Sequence, residues 1–96
     1  MNKEYFYQLQ DYFEKIECPH KITKHKMPGS RLELYIVKLD RRQYIHVYIN
    51  SDNDFTASLH KLDMNTGEKI RISSDIRDTN IAEILDKMRP TFENPH

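Results

Sequence analysis

Between Gln43 and Ile49 the chain alternates strictly: Ile45, Val47 and Ile49 are β-branched and apolar, while Tyr44, His46 and Tyr48 are amphipathic. Successive side chains of a β-strand point to opposite faces, so the segment predicts a central strand with one face to a core and one free to hydrogen-bond. The alternation recurs over 55–62, with Phe55, Ala57 and Leu59 inward and Thr56, Ser58 and His60 outward. Over 68–73, Ile70 and Ile72 point inward and Lys69 and Arg71 outward. Residues 31–39 (RLELYIVKL) are β-rich but apolar on both parities. Placing Leu32, Leu34 and Ile36 inward sets Ile36 opposite Ile45 and Leu34 opposite Val47. Tyr35 then faces outward beside His46, with Val37 opposite Tyr44 and Glu33 opposite Tyr48. A slip of one residue would bury Tyr35, Val37 and Leu39 instead.

Two helical stripes flank these strands. Phe6, Leu9, Phe13 and Ile16 recur at helical spacing over residues 3–17, and Cys18-Pro19 ends that helix, because a residue before proline is pushed out of the α region. Ile81, Ile84, Leu85 and Met88 mark the second helix. Asp78, Thr79 or Asn80 caps it, and Asn80 with Glu83 has capping-box spacing. Pro90 stops it, leaving 90–96 as a flexible tail. Turns fall at Asp40–Arg42, Asn50–Asp54 and Asn65–Gly67, and residues 18–30 form a long connection with two prolines. The expected fold is a single α+β domain over 1–96, ordered α-β-β-β-β-α. It is a two-layer sandwich: a four-stranded antiparallel meander with an N-terminal and a C-terminal helix on one face, and the other face open.

Composition narrows the function classes. Ninety-six residues support one core but leave no room for a large internal cofactor cavity, so no cofactor is expected. Fifteen basic and 15 acidic residues balance, and global charge recruits neither nucleic acid nor membrane. The balance is uneven along the chain, since residues 19–46 hold seven Lys or Arg against two acids. A single cysteine rules out an intrachain disulfide, and no apolar run approaches the roughly 20 residues that span a bilayer. These features lead us to expect a cytoplasmic protein, monomeric or homodimeric. Its many Lys, Asn, Ile and Tyr residues suggest an AT-rich coding sequence, as in many phages and mobile elements.

Four residue sets carry candidate chemistry. The open sheet face gathers Tyr35, Tyr44, His46, Tyr48, Thr56, Ser58, His60, Lys69 and Arg71. Such a face suits a protein interface, where Tyr and Arg combine area with hydrogen bonding, or base stacking with nearby cations. Within it, His46 and His60 with Arg71 have the residue types for acid–base cleavage of RNA, although two exposed strand histidines are common without such a role. Lys21, Lys24, Lys26, Arg31, Arg41 and Arg42 form a basic patch able to meet phosphates, or simply a solvated loop and hairpin tip. Cys18, His20 and His25 are zinc-type ligands at a spacing that matches no standard site and lack a fourth member, so no metal is expected. Walker, dinucleotide-binding, nucleophile-elbow and metalloprotease motifs are absent, and two glycines cannot build a glycine-rich phosphate cradle. The pattern points first to a non-enzymatic interaction protein that binds and modulates a macromolecular partner, with another protein as the expected partner. RNA or single-stranded DNA binding is the alternative, and a small ribonuclease using His46 and His60 comes third.

Overall fold

The computed structural model describes residues 3–26, 29 and 32–93. Its elements are α1 (Lys3–Lys15), β1 (Lys21–Lys26), β2 (Glu33–Lys38), β3 (Gln43–Ser51), β4 (Asp54–Leu62), β5 (Lys69–Arg71), β6 (Ile76–Asp78) and α2 (Ile81–Glu93). The strands form one antiparallel sheet in the order β1-β2-β3-β4-β5, with β6 also pairing β4. The α+β architecture with terminal helices is as the periodicity predicts, but the sheet has six strands where four were expected. β1 arises from the connection 18–30. Its sequence KITKHK has no apolar alternation because it is an edge strand and exposed at all but Ile22.

Local chemistry closes each helix. Glu17 adopts a left-handed φ of 56° after α1. The Cys18 N–H donates to the Phe13 carbonyl at 2.9 Å and that of Glu17 to Glu14 at 3.0 Å. This is a Schellman closure without the usual glycine, one residue ahead of the expected stop at Cys18-Pro19. At α2, the Asn80 side-chain oxygen accepts from the Glu83 N–H at 3.1 Å, so Asn80 is the N-cap. Pro90 does not stop α2: the helix runs on to Glu93. Phe92 is buried and packs on Phe13 with ring centroids 5.8 Å apart, so burial of its ring holds the last turn in place. The expected tail is therefore helical through residue 93, and residues 94–96 lie outside the described residues.

Both helices cover one face of the sheet. Leu9 and Phe13 from α1 meet Ile81, Ile84, Leu85 and Met88 from α2 over Val37, Ile45, Val47, Ala57 and Leu59, all buried. Fully burying each of the larger side chains is worth about 1.5–3 kcal/mol. Tyr12 also ties the helices together, its hydroxyl donating to Asp86 at 2.7 Å.

The register of β2 is the principal correction. Val37 faces Ile45, Tyr35 faces Val47 and Glu33 faces Ile49. Tyr35, Val37 and Leu39 are therefore the inward set, and Leu34 and Ile36 face outward. The reason is size and reach: Tyr35 fills the core at 0% exposure, with the Lys24 ammonium 6.0 Å from its ring centroid. A second correction concerns Ile70 and Ile72, expected inward but 48% and 51% exposed, since neither joins the buried core cluster beneath the helices.

Candidate functional site

The uncovered face of the sheet is built from all six strands, whose registers set its side chains in rows. One row runs Lys21, Lys38, Tyr44, His60, Arg71, each opposite the next. The middle row is Thr23, Ile36, His46, Ser58. A third is His25, Leu34, Tyr48, Thr56, Arg77. Of the expected site residues, Tyr44, His46, Tyr48, Thr56, Ser58, His60, Lys69 and Arg71 share this face. Tyr35 does not, and its place beside His46 belongs to Ile36.

His46 and His60 stand diagonally on adjacent strands with their rings stacked, centroids 3.7 Å apart and planes 17° apart. Ser58 Oγ lies 2.9 Å from His60 Nε2. Nε2 of His46 and Nδ1 of His60 are buried and meet no hydrogen-bond partner among the described residues. Burial, then the neighbouring His60, Lys69 and His25, push the His46 imidazole down to about 4. Burial, then Arg71, also lowers His60, partly offset by Asp75. Both rings are thus neutral at pH 7, which is what lets them stack. The Lys69 ammonium sits 4.7 Å over the Tyr44 ring, a cation–π contact. Arg71 pairs with Asp75 at 2.9 Å, and Arg77 grips Asp54 with two hydrogen bonds, from Nε at 2.6 Å and a terminal nitrogen at 2.5 Å.

The basic patch expected from the sequence is dispersed. Lys24 lies on the helix-covered side and pairs with Glu33 at 2.9 Å. Lys26 is exposed on the same parity, opposite Glu33. Arg41 and Arg42 occupy the β2–β3 hairpin tip, both with left-handed φ (62° and 61°), and Arg31 lies outside the described residues. Of the described members, only Lys21 joins the open face. The set Cys18, His20 and His25 also separates. His20 packs its ring on Phe13 and lies 2.9 Å from the Cys18 carbonyl, whereas His25 faces outward beside Thr23.

Sequence reasoning missed Leu34, Ile36, Lys38, Thr23 and His25 as members of this face. The signal for the first three was present in the second apolar parity of β2. Leu34 is buried and Ile36 half-buried, yet neither joins the core cluster beneath the helices. They form an aliphatic centre on the uncovered side.

Comparison with protein-family models, with curated proteins and with solved structures returned no match.

Proposed function

We propose that the protein is a small non-enzymatic interaction module that binds and modulates a protein partner through the open face of its sheet. The observation that carries this is Ile36, half-buried on the outward side next to Tyr48 and His46, with the buried Leu34 beside it and neither aliphatic side chain in the core cluster beneath the helices. An apolar and aromatic centre within a polar, charged margin is the anatomy of a protein interface. Antiparallel sheets commonly leave one face to solvent, but that face is then normally polar.

The two other functions have less support. Base stacking needs open ring faces, and of three candidate tyrosines Tyr35 is in the core and Tyr44 carries the Lys69 ammonium, leaving Tyr48. Ribonuclease chemistry needs an acid and a base on either side of the scissile phosphate. His46 and His60 instead face each other at 3.7 Å, and His46 stays unprotonated at neutral pH.

The test is a photo-crosslinking amino acid placed at Tyr48, with Glu14 on the exposed side of α1 as control, in cells that make the protein. We expect a discrete protein adduct from position 48 and none from 14. Equal yields from both positions, or none from 48, would overturn the proposal.

A further inference from the structure

The row Lys21, Lys38, Tyr44, His60, Arg71 crosses five strands, about 19 Å at the usual strand spacing. The Lys69 ammonium over Tyr44 makes the middle of the row cationic as well. The whole chain has zero formal net charge, so the concentration of cations on this row is positional. Among the described residues, the outward strand positions hold one carboxylate, Asp54, and Arg77 already grips it. Asp75, from the segment after β5, pairs with Arg71, but both side chains are about half exposed, and such a pair exchanges readily for another carboxylate.

Lys21 and Lys38 stand directly opposite each other, and neither makes an ion pair with a described residue. Like charges in that position are unfavourable unless an anion lies between them. The same two lysines line a cleft of about 300 Å³, together with Pro19, His20, Leu39 and Asp40. Pro19 and Leu39 give it an apolar wall, and Asp40 is its one carboxylate, so a single acidic side chain fits against the lysines.

We infer that the open face takes an acidic protein segment, whose carboxylates run along the Lys21–Lys38–Arg71 row while its apolar residues meet Ile36 and Tyr48. Ile36 in the adjoining row favours protein over nucleic acid, since a phosphate backbone has nothing to place there. Roughly six residues of extended chain cover the row. The inference rests on the open face being the binding surface, and it adds the chemistry of the partner.

The experiment uses the full chain, labelled for amide NMR, with poly-L-glutamate as probe and oligo(dT) of equal charge as comparison. Poly-L-glutamate should shift the amides of Lys21, Lys38, Tyr44, His60 and Arg71, and its affinity should fall steeply with salt. The double charge reversal K21E/K38E should weaken binding at least tenfold, while K15E on α1 leaves it unchanged. Both lysines are exposed, so the variant should keep its amide dispersion; K21Q/K38Q provides a milder replacement. Shifts confined to other surfaces, or tighter binding of oligo(dT) on this row, would overturn the inference. A Tyr48 crosslink undiminished in K21E/K38E would overturn the acidic row yet leave the surface standing. Loss of the crosslink in the unmodified chain would instead remove the surface itself.

Discussion

His46 and His60 lie ring on ring at 3.7 Å, each with a buried nitrogen that meets no hydrogen-bond partner among the described residues. Adding a proton to either ring places a cation against its neighbour, with Lys69 and Arg71 close by.

The pair therefore sets a pH dependence. The His46 pKa is lowered in the fold from its ordinary 6.5 to about 4. Between those values the unfolded chain binds more protons than the folded one, so stability rises with pH through that window. The span is about 1–2 kcal/mol, because both rings are partly exposed and solvent screens them. Asp54 and Asp78 are lowered from 3.8 by Arg77 and Lys87 and act below the window. His46→Phe should flatten the slope of urea-unfolding free energy between pH 4 and 6.5, and should not lower stability at pH 7. An unchanged slope would mean the stack does not form.

The register of β2 can be read by a pair of substitutions. Tyr35→Ala empties a fully buried site and should cost about 3–5 kcal/mol, enough to unfold a marginal domain. Ile36→Thr, on the open face, should cost under about 1 kcal/mol. Chemical denaturation of both variants decides it. In the register first expected from the sequence, the two costs would be reversed.

Phe92 should hold the end of α2. Phe92→Ala is expected to cost about 3 kcal/mol, the low end for a buried aromatic because it lies in the last turn. Amide exchange should show the turn around Pro90 opening in that variant, with the first two turns of α2 still protected.

The β2–β3 hairpin turn stores strain. Arg41 and Arg42 both occupy the left-handed region, where asparagine and glycine are favoured. The double variant R41N/R42G should raise stability by about 1–2 kcal/mol, seen as a higher Tm. A lower Tm would show that the two arginine side chains contribute more than their backbone geometry costs.

The elements that were legible in the sequence are those with one unambiguous period. Phe6, Leu9 and Phe13 mark a helix, and Ile45, Val47 and Ile49 mark a half-buried strand, whatever the rest of the chain does. The meander order also predicts that β3 pairs with β4, and the structure sets Tyr44 opposite His60 and His46 opposite Ser58. β2 was ambiguous because Leu34 and Ile36 compete with Tyr35, Val37 and Leu39 for the core. Only three-dimensional volume decides between them. β1 was hidden because an edge strand paired on one side needs no apolar face. Pro90 misled because the loss of one N–H near a helix end is small beside the burial of Phe92. The candidate site was legible to the same degree as its strands: Tyr44, His46, Tyr48 and His60 from β3 and β4, but not Ile36 or Lys38 from β2.

The outer edge of β4 is shared by two short strands, β6 along Phe55–Ala57 and β5 along His60–Leu62. Between them the Leu59 N–H donates to Ser73 Oγ at 2.8 Å, and the Leu59 carbonyl accepts from Ile72 at 2.8 Å. A strand arriving from another molecule thus finds only two three-residue pieces on that side, too short to template a ladder. At the opposite margin it meets the lysines of β1. Segmentation on one flank and lysine charge on the other both disfavour edge-to-edge addition, so the two margins of the sheet are guarded by different means.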